Sequence, residues 1–181
     1  MKNRFVWAGT ILFALSSAVV TAEQTVIGDV AMPEVKSSAA FKQIKKKVGK
    51  WQGEMTQGLT GKVIPVSYEW KVTSGGNTIT ETIVEDGVEM LTTYSDKNGE
   101  LVAQHYCALG TEPIFRVSNM SSDTLALELD ATASGLHAEH DSFVTHMQWT
   151  MQGNNDTMLF KNTVMLDGQV TQNTAKLNKV H

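Results

Sequence analysis

The chain has 181 residues and a formal net charge of −4, with 15 Lys and Arg against 19 Asp and Glu. Arg116 is the only arginine after Arg4, and phosphate-gripping surfaces concentrate guanidinium groups on a basic face, so no nucleic-acid partner is expected. Cys107 is the single cysteine, which excludes an internal disulfide and leaves stability to one hydrophobic core in one domain.

Residues 1–22 read as a secretory signal peptide. Lys2 and Arg4 precede an apolar run from Phe5 to Leu15, and Val20-Thr21-Ala22 offers a small-residue cleavage site. The run is short of the roughly 20 apolar residues a membrane span needs, and no later stretch qualifies. A periplasmic or secreted protein is therefore expected. Residues 23–36, with Gly28, Pro33 and no sustained period, predict a flexible lead-in, and the folded domain is expected over 37–181.

Ser37 or Ser38 can cap a short helix in which Phe41, Ile44 and Val48 share a stripe, with Gly49 as a left-handed stop. Such a helix ahead of a sheet is expected to act as a plug. Lys42, Lys45, Lys46, Lys47 and Lys50 read as its solvated face rather than as an anion or membrane-surface site.

From Trp51 onward the period changes to two, and turn residues recur at short intervals. Ile64, Val66, Tyr68, Trp70 and Val72 share one face of a strand. In Thr78 to Glu85, Ile79 and Ile83 alternate in step with Glu81 and Glu85, so the pattern does not say which face is inward. Asp86-Gly87, Asn98-Gly99 and Asp167-Gly168 are hairpin signals. Leu101, Ala103, His105, Cys107 and Leu109 are assigned inward, as are Phe115, Val117 and Asn119, and Leu125, Leu127 and Leu129. Phe143, Thr145, Met147, Trp149 and Met151 form a further inward set, followed by Met158, Phe160, Asn162, Val164 and Leu166. The count is about ten strands. Closing them into an up-and-down antiparallel β-barrel removes both exposed edges; a β-sandwich is the alternative.

Gly49, Trp51 and Gly53, placed after a short helix and before the hairpin series, resemble the Gly-x-Trp signature that opens the first strand of lipocalins and their calycin relatives. His105-Tyr106-Cys107 with Gly110 and Pro113 is similar to a segment of an uncharacterised family of exported bacterial lipocalin-like proteins. The first resemblance implies a basic residue from the last strand over the signature Trp, a place that only Lys176 or Lys179 could fill. Nitrobindin-like barrels, which bind haem through a histidine, are another comparison, but no haem motif is matched residue by residue.

His105 could bind a metal or haem iron or act as a general base; its structural alternative is a core histidine bonded to Tyr94, Asn119 or Asn162. Cys107 beside it reads as a buried thiol, since no oxyanion donor is identifiable. His137, Glu139, His140 and Asp141 read as a solvated loop, lacking the ligand spacing of a zinc site. No metal or cofactor is expected, and the common enzyme signatures are absent. Tyr68, Trp70, Tyr94, His105, Phe115, Asn119, Met147, Trp149 and Phe160 are the expected lumen lining. The expected role is an exported binding protein for a small hydrophobic molecule. An enzyme with His105 as base and an interaction protein with a filled barrel are the alternatives.

Overall fold

The computed structural model describes residues 26–181. The expected signal peptide, residues 1–22, lies outside them. Within the lead-in, β1 (Val26–Ile27) and β2 (Val30–Ala31) pair as a short antiparallel hairpin around Gly28 and Asp29, a unit that the lack of any long period concealed.

The second unit runs from Pro33 to His181 and is a barrel. Its helix α1 (Ala39–Lys45) is capped by Ser38, whose Oγ accepts from the Phe41 N–H at 3.0 Å. The helix ends at Lys46 in a right-handed conformation, so Gly49 is not its stop but the first residue of the next strand. Ten strands follow: β3 (Gly49–Thr56), β4 (Val63–Thr73), β5 (Thr78–Glu85), β6 (Val88–Lys97), β7 (Glu100–Tyr106), β8 (Ile114–Met120), β9 (Thr124–Leu129), β10 (Phe143–Gln152), β11 (Thr157–Leu166) and β12 (Gln169–Val180). A short helix α2 (Ala131–Ser134) lies between β9 and β10.

Each strand pairs antiparallel with the next, and β12 returns to β3, closing the ring. At Asn98-Gly99 both residues have positive φ, 56° and 85°, which gives the turn a twist that matches its strands; Asp86-Gly87 and Asp167-Gly168 turn alike. The β3–β12 seam is tight at Gly53. A Cβ there would lie 1.9 Å from the Lys176 carbonyl oxygen, so only glycine lets the strands approach this closely.

Two bulges reset the expected alternation. One, between Val117 and Asn119, sets Asn119 opposite Ala126 and off the face that Phe115 and Val117 share, so Asn119 is exposed and does not belong to the lumen; Val117 keeps that face but is itself 37% exposed. The other, between Val144 and His146, brings Val144 into the core cluster with Met147, while Phe143 is buried outside that cluster. An inserted residue reverses the face of everything before it, which period two alone does not foresee.

The barrel's two ends differ. One carries the turns after β4, β6, β8 and β10 together with α1, which is tied down by Ser38 Oγ donating to Asp96 at 2.7 Å and Gln43 Nε2 donating to the Ser121 carbonyl at 2.8 Å. Phe41 and Ile44 of the helix are buried in the core, so this end is plugged. The other carries the loops after β3, β5, β7, β9 and β11. No helix among the described residues is long and apolar enough to cross a membrane.

Candidate functional site

Aromatic rings fill the plugged half of the lumen. Trp51 meets Trp70 edge-on at 6.5 Å, and Tyr68 meets Trp70 and Phe160 edge-on at 5.8 and 5.6 Å. Trp149 stacks on Phe160 at 5.4 Å and meets Tyr94 at 6.2 Å. Lys179, directly opposite Trp51 in the β12–β3 register, holds its Nζ 5.6 Å from the Trp51 ring centre, the placement that the Gly-x-Trp resemblance implied. Trp51 Nε1 donates to the Lys47 carbonyl at 2.7 Å.

A polar row crosses this apolar interior. Glu81, Thr92 and His105 are direct cross-strand partners on β5, β6 and β7, so their side chains stand side by side on the inner face. All three are buried. Tyr94 Oη donates to Glu81, and Thr92 Oγ1 lies 2.9 Å from His105 Nδ1. Lys47, in the segment between α1 and β3, is also buried; its Nζ lies 5.0 Å from the Trp149 ring centre. The expectation of a solvated lysine face therefore fails for Lys47, because the chain turns inward there to reach Trp51.

Burial sets the charge states of this row. It pushes the Glu81 carboxyl up to about 7, against the opposing effects of the Tyr94 hydroxyl and the Lys47 charge. It pushes Lys47 down to about 7, partly offset by Glu81. It takes His105 down to about 4, so the imidazole is neutral near pH 7. Tyr68 and Tyr94 are held well above the usual phenol range by burial and by the neighbouring carboxylates.

At the open end lies a cavity of about 380 Å³. Ile64, Ile83, Met90, Val144, Met147 and Phe160 supply much of its apolar wall. Its polar points include Glu85, Asp86, His105, Cys107, Asn162 and Asn173. Tyr68 Oη donates to Glu85 Oε1 at 2.7 Å, and burial raises the Glu85 carboxyl. Asn162 is buried, and its Oδ1 is enclosed with no hydrogen-bond partner.

The structure thus divides the expected lining. His105, Met147 and Phe160 reach the cavity, and Tyr68 touches it through Glu85. Trp70, Tyr94, Phe115 and Trp149 are buried core that does not line it, and Asn119 is on the surface. His105 bonds to Thr92 rather than to Tyr94, Asn119 or Asn162, because the β6–β7 register sets Thr92 opposite it. Burial raises the Cys107 thiol, which weakens it as a nucleophile beside a neutral imidazole. His137 and His140 stack at 5.3 Å, and no group of three or more metal-binding side chains is found among the described residues.

No protein-family model matches the chain, and no curated protein does. Solved structures match its fold. Rv2717c from M. tuberculosis aligns at a TM-score of 0.53 with 17% identity, covering 81% of this chain and 100% of that one. A DUF3598-family protein of unknown function from Nostoc punctiforme aligns at 0.56 with 8% identity over 76% of this chain, which spans 49% of that protein's length. At these identities the likeness is one of fold.

Sequence reading missed Glu81, Glu85 and Lys47 as interior groups. The signal available for the glutamates was their phase: on β5 they alternate in step with Ile79 and Ile83.

Proposed function

We propose that this is an exported binding protein that holds a small hydrophobic molecule in the open half of its barrel. The observation that carries the reading is the cavity: about 380 Å³, walled mainly by aliphatic and aromatic side chains, with a few polar groups at fixed places. Small-molecule sites have this make-up and run from about 300 to 1,000 Å³. Export rests on the charged start, apolar run and small-residue exit of residues 1–22.

A fluorescent hydrophobic probe titrated against the purified protein tests the binding reading. Saturable binding is expected for the wild type, with loss in Val164→Trp, which fills the cavity from its β11 wall. Equal binding by the variant at an unchanged unfolding midpoint would place the probe elsewhere and overturn the reading. Export is tested by the amino-terminal residue of protein from the native host, expected at Glu23 or within a few residues of it.

A further inference from the structure

The polar points of the cavity are unbalanced. Glu85 and Asp86 line it and no lysine or arginine does; Lys62 pairs with Asp86 at 3.0 Å, which leaves Glu85 as the carboxylate without an ion pair. Glu85 uses Oε1 for the Tyr68 hydroxyl, which leaves Oε2 as an acceptor. Asn162, only 8% exposed, presents an Oδ1 that no protein donor meets. A buried acceptor with no partner carries its full desolvation penalty until a donor arrives.

We propose that the ligand of this cavity, on the reading that it has one, is a small apolar amine whose N–H groups meet Glu85 and Asn162. Its hydrocarbon body lies against Ile83, Met147 and Phe160. A fatty carboxylate would instead set like charge against Glu85, which has no cation paired with it among the described residues, Lys62 being taken up by Asp86. An alcohol brings one donor where two acceptors are offered.

Octylamine, octanol and octanoate share a hydrocarbon chain and differ at the head, so their affinities for the full chain, measured by calorimetry, isolate the head group. Octylamine is expected to bind at least about tenfold more tightly than either of the others, a difference of ~1.4 kcal/mol. Glu85→Gln keeps an acceptor for Tyr68 and is expected to weaken octylamine about tenfold while sparing octanol. Val88→Lys is a second variant that tolerates folding losses well, because Val88 is exposed, lines the cavity and pairs with Glu85 in the β5–β6 register. It is expected to weaken octylamine and strengthen octanoate. Octanoate or octanol binding as tightly as octylamine overturns the amine assignment while leaving the cavity reading in place. Binding of none of the three overturns both.

Discussion

The ammonium of Lys47 lies 5.0 Å from the ring centre of Trp149, inside the barrel rather than at its surface. Glu81 is the carboxylate whose charge acts on it. A buried ion pair adds little net stability, but removing one partner strands the other. Lys47→Met should therefore cost on the order of 3 kcal/mol near pH 7, where Lys47 still holds part of its proton and Glu81 has begun to lose its own, and less at pH 5, where Glu81 takes up a proton. Adding Glu81→Gln should recover most of the loss. Chemical denaturation of the single and double variants at both pH values checks this, and equal losses at the two values would count against the pairing.

The same row makes opposite demands on pH. In the fold Glu81 keeps its proton up to about pH 7 instead of 4.5, so between those values the folded state binds more protons and stability falls as pH rises. His105 is protonated only below about 4 in the fold, against 6.5 ordinarily, so its contribution rises with pH over that window. The two nearly cancel in the wild type. Glu81→Gln should lose stability toward acid and His105→Gln should gain it, each by on the order of 3 kcal/mol across the window. Unfolding midpoints at pH 4.5 and 6.5 read the tilt directly. Above pH 7, Lys47 adds stability as pH climbs toward 10.5, because only the unfolded chain still holds that proton.

His105→Phe replaces the imidazole with a larger ring at the cavity wall and leaves Thr92 without that partner. Overpacking should cost about 1 to 3 kcal/mol, with the far-UV spectrum unchanged because strand alternation is untouched. Hydrophobic probe affinity should shift. A variant with wild-type affinity would mean that His105 does not face the occupied part of the cavity.

Gly53→Ala tests the seam. The added methyl meets the Lys176 carbonyl at 1.9 Å, and two paired backbones must separate to admit it. A loss of about 1 to 3 kcal/mol is expected, larger than for alanine at Gly61, where a Cβ would meet nothing within 4 Å and only the positive φ is strained. Denaturation midpoints of the two variants compare crowding with backbone strain.

Period-two alternation was enough to foresee the hairpins, the inward set of β11 and that of β4 from Ile64 to Trp70, although Val72 is exposed. It failed where physics departs from that rule. Asn119 and Phe143 lie next to bulges, which are decided by pairing with another strand and leave no trace in local spacing. Glu81 and Lys47 are charged residues in the core, tolerated because Tyr94, Thr92 and each other surround them. Those partners lie on the neighbouring strand β6 and in the segment before β3. The tendency of charge to lie outside, applied one residue at a time, points the wrong way. The cavity itself was not legible: alternation says which side chains face in, not how much room they leave.

The ring closes through β3 and β12, the first and last of its strands. A ribosome making this chain therefore produces nine strands in order while β3 still has a bare edge, and only the synthesis of β12 removes it. Contacts so distant in sequence exact their loop-closure entropy before they return any stability, which makes such a ring slow to form and late to become cooperative. Until residues near Lys176 arrive, β3 keeps its bare edge and the ring stays open.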